Sequence, residues 1–440
     1  MKTLNRVISS IILFIAINLY SILFFTVKWW LLLPLAAIYF IKVNISPSSK
    51  KKLSFRLKIL SDGAELLQLY MITSALSLIY LVFVGIRTIP MESHIFIISL
   101  ITAISAEAIL FFNGIIRVYC TSVQLGLKWR IVGLTCGWAL IVNIFTLTKI
   151  TKIVSDEADF ESKKFELNLE RKDKYICKTR YPILMVHGVF FRDSRLLNYW
   201  GRIPGELLKN GAVVYYGQQQ SAASVKASAE ELAERIKNII KETGSEKVNI
   251  IAHSKGGLDS RYAISCLGMD KYVASLTTIN TPHRGCIFAE YLFDKVPAKV
   301  RNSIANKYNS ALRKLGDTNP DFIAAVTDLT ASRCKAMNET MPDVPGVYYQ
   351  SVGSKMARAK SGKFPLNVAY PFVRLFDGDN DGLVSVESAG WGENFTMISV
   401  DGSRGISHAD VIDLNRENIK GFDVREFYVD LAEDLKKRGL

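Results

Sequence analysis

Apolar positions run almost without interruption through the first 150 residues of this 440-residue chain, then give way to short clusters separated by charge and by glycine. A membrane-spanning helix needs about 20 apolar residues. Four runs meet that length, at about 7–27, 66–86, 95–116 and 131–150. A fifth, 29–43, is shorter but has Trp29 and Trp30 at one end and Lys42 at the other, residues suited to the two membrane interfaces. The pattern predicts an all-α transmembrane domain of about five spans over 1–150. Glu107 lies within the run 95–116, where a charge is costly. It reads as a protonated carboxyl bonded to a neighbouring helix, with a relay or a headgroup contact as the alternative.

Beyond a charged linker at 151–180 the period changes. Short β-branched and apolar clusters at 181–186, 212–216, 248–252, 273–279, 346–352 and 395–400 read as buried strands. Between the second and third of them, Val225, Leu232, Ile236, Ile239 and Ile240 recur at helical spacing opposite a charged face, and Gly244 ends the run. Another helix is expected to begin at Ser254, and "VREFYVDLAEDLKKR" supplies one near the end of the chain. Strands alternating with helices predict an α/β domain over 181–440, with a mostly parallel sheet covered on both faces. Ligands of such sheets bind at the C-terminal ends of the strands, where Ser254 falls.

Charge narrows the function classes. The chain carries a net +14, which would suit nucleic acid if it were spread over the folded domain. Residues 1–150 hold 14 Lys and Arg against 4 Asp and Glu, or +10, and the remainder holds 41 against 37, or +4. Most of the basicity therefore lies between apolar runs, where it orients spans, and no nucleic-acid partner is expected. With the N-terminus inside, five spans put Lys2, Arg6, Lys42, Lys50, Lys51, Lys52, Arg56, Lys58, Arg117, Lys128 and Arg130 inside, and only Lys28 and Arg87 outside. That arrangement predicts a multi-pass protein of the cell membrane with an extracytoplasmic C-terminal domain. If 7–43 formed one re-entrant or tilted element instead of two crossings, so that it counted as a single span, the count would fall to four and the domain would turn inward. Six cysteines without a C-x-x-C pair argue against a zinc site. Four of them, Cys177, Cys266, Cys286 and Cys334, could pair if the domain is outside; buried thiols are the alternative.

The sequence around Ser254, "AHSKGG", is one methyl group from the G-x-S-x-G turn that exposes a nucleophilic serine between strand and helix. A serine hydroxyl needs a base, and the base needs a carboxylate to fix its tautomer. Of five histidines, His94 is in the membrane half, His187 and His253 sit in strand-end turns, and His283 follows another strand. His408 alone leaves room for the chain order serine, acid, histidine. The loop "FDGDNDGLVS" offers Asp377, Asp379 and Asp381, among which composition does not choose. An oxyanion hole needs two backbone N–H groups. Lys255 supplies one directly after the nucleophile, and Val189 supplies the other after the turn His187-Gly188.

The segments "YPILMVHGVFFRD", "IIAHSKGGLDSRY", "TINTPHRG", "PDVPGVYYQSVGS", "DGDNDGLVS" and "SHAD" resemble, in order, those of secreted bacterial triacylglycerol lipases of the α/β-hydrolase fold. The resemblance covers about 180–440. It implies Ser254 as nucleophile, Asp381 as acid, His408 as base, and Val189 and Lys255 as oxyanion donors. It also implies no required cofactor but a structural Ca²⁺ near the base, for which Asp410 is the matching ligand, although "KSGKFPLN" lacks the partner acid; the alternative is that Asp410 caps the following helix. Residues 286–336 fall where that family carries its lid, and "AEYLFDKVPAKVRNSIANKYNSAL" is amphipathic enough to cover an apolar cleft.

Together these features predict a membrane-anchored serine ester hydrolase, a lipase or esterase that acts on lipid or other acyl esters. Two alternatives share the same residues: an acyltransferase using the triad, and a non-catalytic lipid-binding sensor.

Overall fold

The structure is a computed structural model that describes residues 2–26, 30–47, 53–136, 140–189, 198–392, 394–400, 402 and 404–440. Of the positions singled out above, Lys28, Trp29 and Lys50 to Lys52 lie outside these. The chain forms two compact units, Met1–Glu170 and Arg171–Leu440.

The first unit is all helical: α1 (Lys2–Ile17), α2 (Leu19–Phe25), α3 (Leu32–Ile45), α4 (Phe55–Thr121), α5 (Gly126–Cys136) and α6 (Leu140–Glu170). Among the described residues, α4 is long and apolar enough to cross a membrane, and so are α1 and α2 together, which bend by 71° at their junction. Helix α4 holds two of the expected spans as arms of one hairpin. Glu92 has non-helical φ/ψ next to Pro90, which removes a helical donor and crowds the preceding turn.

The arms run antiparallel and close. A Cβ on Gly63 would lie 2.8 Å from Arg117 Cβ, one on Gly114 2.9 Å from Leu67, and one on Gly85 3.2 Å from the Phe96 ring. Glu107 is bonded as the sequence suggested. It accepts from Thr73 Oγ1 at 3.0 Å and Ser77 Oγ at 3.4 Å on the facing arm, and Asn18 Nδ2 donates to that serine oxygen at 2.9 Å.

The run 131–150 departs from expectation. It is split between α5 and α6 and folded back, so that a Cβ on Gly133 would lie 2.9 Å from Ile150 Cδ1. Along a single helix those residues would stand about 25 Å apart. Gly133 weakens the helix here, and Glu157 holds the returning arm. Its carboxylate accepts from Ser122 Oγ at 2.6 Å, from the N–H groups of Val123 and Gln124 at 3.1 Å each, and from Arg56 Nη1 at 2.9 Å. Much of the expected linker is thus the C-terminal half of α6.

The second unit holds six parallel strands in the order β2-β1-β3-β4-β5-β6: β1 (Ile183–Val186), β2 (Val214–Tyr216), β3 (Val248–His253), β4 (Val273–Ile279), β5 (Tyr348–Ser354) and β6 (Phe395–Ile398). Alternate side chains enter opposite layers. Ile183 and Met185 pack with Ile251 on one face, and Leu184 and Val186 with Ile250 on the other. Burial on both faces explains why these strands read as continuous apolar runs.

Helices α7 (Ile203–Lys209) and α16 (Val424–Lys437) cover the first face, while α8 (Val225–Thr243) and α9 (Lys255–Cys266) cover the second. Helix α8 follows its sequence signals, with Ser224 Oγ accepting from Ala227 N at the start and Gly244 left-handed at the end. The region expected to be a lid forms α10 (Ile287–Lys295), α11 (Ala298–Lys314), α12 (Phe322–Thr327) and α13 (Ala331–Thr340). Two helices between β5 and β6 were not foreseen, α14 (Leu366–Asp377) and the single turn α15 (Val386–Ala389). All six cysteines are free thiols. Burial pushes Cys177, Cys286 and Cys334 up to about 12, so they act as small packing residues.

The order reverses between β1 and β3. After β2 the chain crosses back, leaving a crevice at the C-terminal ends of those two strands.

The first turn of helix α9, beneath that crevice, carries a buried ion pair within the helix and one bond to α8. Lys255 Nζ lies 2.6 Å from Asp259 Oδ1 and 2.9 Å from Ser228 Oγ of α8. Replacing Asp259 with Ala leaves a buried ammonium with one neutral partner, a loss of about 3–5 kcal/mol. Thermal unfolding of the detergent-solubilised chain should show a clear drop in Tm; an unchanged Tm would mean the pair carries no net stability.

Candidate active site

Strand β3 delivers Ser254 in a strained turn. Its φ of 54° and ψ of −131° lie outside the usual regions for a residue with a Cβ, a conformation that costs about 1–3 kcal/mol and persists only when neighbours enforce it. They do so here. Ser254 N donates to Ile279 O at 2.9 Å, and Gly257 N donates to Ser254 O at 3.0 Å. Two glycines let α9 press against the strand ends: a Cβ on Gly256 would collide with His187 O, and one on Gly257 with Thr281 Oγ1.

The loop after β6 brings His408 to the same end of the sheet. Its ring centroid lies 4.4 Å from that of His253, the residue preceding the serine. His408 Nδ1 is 2.6 Å from Asp381 Oδ2, and His408 N donates to Asp381 O at 2.9 Å. A proton on Nδ1 shared with the carboxylate leaves Nε2 as the acceptor, the tautomer a base needs.

Asp381 is completely buried. Its Oδ1 accepts from the N–H groups of Leu383 at 2.9 Å and Val384 at 2.8 Å, and its Oδ2 also accepts from Asn280 Nδ2 at 2.6 Å. The geometry thus separates the three loop acids. Asp377 caps α10, accepting from Ile287 N and Phe288 N, and Asp379 is exposed and pairs with Lys355 at 2.7 Å. The remaining histidines of this unit have structural roles. Burial pushes His187 down to about 4 as its ring bonds Gly188 O and Gln219 O; His283 is held well below its usual value by burial, stacked on Trp391.

Val189 follows the turn after β1. A Cβ on Gly188 would lie 2.8 Å from Ser254 Cβ, so only glycine allows that turn to lie over the serine. Gly188 N donates to Tyr199 Oη at 3.0 Å, and the same hydroxyl lies 2.6 Å from His253 Nδ1. Tyr199 thereby ties the turn carrying Val189 to the strand carrying Ser254. Lys255 opens α9, and the first N–H groups of a helix have no acceptor within it. Its side chain, which sequence left without a role, holds the ion pair with Asp259.

Two contributors were not foreseen. Asn280, left-handed at φ 46°, donates to Asp381 and, at 2.7 Å, to Ser354 Oγ; its only signal was its place at a strand end in "TINTPHRG". Tyr199 gave none.

The residues around Asp410 do not fit a metal ion. Arg404 donates to both carboxylate oxygens, from Nη1 at 2.8 Å and Nη2 at 3.1 Å, and Ser407 donates its N–H and Oγ at 2.8 and 2.7 Å. A guanidinium already neutralises this carboxylate. Among the described residues no group of three His, Cys, Asp or Glu is placed to hold a metal. In this arrangement Asp410 braces the turn that begins at Ser407, beside His408.

A family model described as "Putative serine esterase (DUF676)" matches residues 184–318. A triacylglycerol lipase of Pseudarthrobacter phenanthrenivorans is 34% identical over 176 residues, 37% of this chain and 54% of the relative. One from Burkholderia plantarii is 34% identical over 176 residues, 37% of this chain and 49% of the relative. The chain therefore spans about half the length of these two. A triacylglycerol lipase of Vibrio cholerae is 31% identical over 290 residues, covering 60% of this chain and 90% of the relative.

If Arg404 does by charge what a cation would do, any Ser254-dependent turnover is indifferent to EDTA and to added Ca²⁺, whereas Arg404→Ala lowers it and lowers Tm. Loss of turnover in EDTA that Ca²⁺ restores would show that a metal is needed after all.

Proposed function

The chain belongs to the triacylglycerol lipase family, and from that premise we propose that it is a membrane-anchored serine ester hydrolase that cleaves acyl esters through an acyl-enzyme at Ser254. The observation that carries the reading is the 2.6 Å contact between His408 and buried Asp381, beside a serine held at positive φ. In this mechanism His408 Nε2 takes the hydroxyl proton as Ser254 Oγ attacks the ester carbonyl. The N–H groups of Val189 and Lys255 stabilise the oxyanion. Collapse expels the alcohol, protonated by His408, and leaves the acyl group on Ser254. Water, deprotonated by the same nitrogen, then releases the carboxylic acid. Asp381 stays ionised throughout and stabilises the imidazolium.

Two features support long acyl chains and a membrane setting. Ile287, Tyr291 and Leu292 on α10 and Val368, Phe372 and Leu375 on α14 are exposed apolar residues, and the Phe288 and Phe372 rings stack at 5.6 Å between these helices. Such a surface suits contact with lipid. The first unit supports anchoring through the length and apolarity of α4 and of the bent pair α1–α2.

The test uses the full chain in detergent. A fluorophosphonate should label Ser254, p-nitrophenyl esters should turn over, and Ser254→Ala should abolish both. Asp381→Asn should keep the fold and lower kcat by about 10⁴-fold, because the base is then held in the wrong tautomer. Absence of both labelling and turnover in the parent chain would overturn the reading; labelling with turnover only when an alcohol acceptor is present would point to acyl transfer.

A further inference from the structure

The polar contacts of the first unit gather its helix ends at one end of the bundle. Near the start of α1, Arg6 donates from Nε and Nη2 to the two oxygens of Glu65, each at 2.8 Å. At the end of α3, Asn44 O accepts from Asn113 Nδ2 at 2.9 Å and Arg117 Nη2 at 2.8 Å, and Arg117 Nη1 also lies 3.7 Å from Asp62. The two ends of α4 meet where Arg56 Nη1 donates to Thr121 O at 2.7 Å. The turn before α5 meets α6 where Ser122, Val123 and Gln124 donate to Glu157.

Each excursion of the chain therefore returns to the end from which it left. The α4 hairpin, with 67 residues, is long enough for two crossings. The stretch between Gln124 and Glu157 is not, because two crossings need about 40 apolar residues. Helix α5 has 11 residues, a rise of about 16 Å against a hydrocarbon core of about 30 Å. The α5–α6 pair enters and leaves by the same face.

That face is the basic one. Arg6, Lys42, Arg56, Arg117, Lys128 and Arg130 belong to segments that start or end there, while Arg87 lies toward the opposite end, near the bend of α4. Basic connections remain on the cytoplasmic side. Resting on the membrane reading above, we infer that α5–α6 is a re-entrant hairpin that returns the chain to the cytoplasmic face. The hydrolase unit then lies inside, and its substrates are glycerolipid acyl esters presented by the inner leaflet. This reverses the extracytoplasmic placement, which depended on counting 131–150 as a crossing.

The experiment uses the full chain in expressing cells, with Cys120 and Cys136 replaced by Ser. Alkaline carbonate extraction comes first: retention with the membrane upholds the membrane reading, and release overturns that reading and with it the inference. In retained protein, a membrane-impermeant maleimide should reach exposed Cys266 only after lysis. In a second variant, with Cys266→Ser and His94→Cys, it should label the exposed position between the arms of α4 in intact cells. An impermeant fluorophosphonate should label Ser254 in inverted vesicles but not in sealed right-side-out ones. Labelling of Cys266 in intact cells, protection of the position-94 cysteine there, or Ser254 labelling in right-side-out vesicles would each overturn the inference.

Discussion

A carboxylate with no exposure to water ties together the active end of the second unit. Asp381 receives four hydrogen bonds, from His408, Asn280, Leu383 N and Val384 N. An isolated buried charge is too costly to persist, so each donor has to be in place at once. That requirement reaches well beyond the base. Asn280 sits at the end of β4 and holds β5 through Ser354, the two amides shape their own loop, and His408 arrives on the connection after β6. Satisfying one charge thereby sets the relative positions of three strand ends. Ser254 is anchored to the same frame through its N–H and Ile279 O, at the residue before Asn280.

The six strands were legible because parallel strands buried on both faces announce themselves by apolarity alone, and α8 because its cap, stripe and terminal glycine agree. Ser254 and His408 were legible from a turn motif and from chain order. Composition does not choose among Asp377, Asp379 and Asp381, since a loop of Asp and Gly looks alike at each position; the resemblance points to Asp381, and the folded chain adds its burial and four donors. Tyr199 and Lys255 show the same limit. A tyrosine hydroxyl bridging two turns has no local signature, and the i,i+4 spacing of Lys255 and Asp259 does not by itself announce a buried pair, because that burial is supplied only by the fold. Asp410 shows a further limit: its neighbour in the fold, Arg404, which donates to both of its oxygens, is not evident from the motif around His408.

The helical unit was harder for a different reason. Hydropathy reports whether a segment tolerates lipid; it does not report where the segment goes. The run 131–150 is apolar enough to cross, yet its two halves fold against each other. What redirects it is polar, the carboxylate of Glu157 meeting Ser122 and two backbone amides at the end of the preceding helix. Contacts made by a residue beyond the apolar run thus accompany its division into two helices.

Sidedness in such a chain is a question of parity, and parity is insensitive to most errors in a span count. Whether α1 with α2 and α3 cross fully or dip and return, the contacts at Arg6 and Asn44 bring both ends to the same face, so the count stays even. Only a segment whose ends lie on opposite faces can invert the domain that follows it. Residues 131–150 were the one segment assigned that property without a partner to return it, and the Ser122–Glu157 contact supplies the return. A hydrolase that follows an even number of crossings is on the cytoplasmic side, where the leaflet carries anionic headgroups. The apolar residues exposed on α10 and α14 would then meet acyl chains from the inner leaflet, and the same serine chemistry would act on the cell's own lipids.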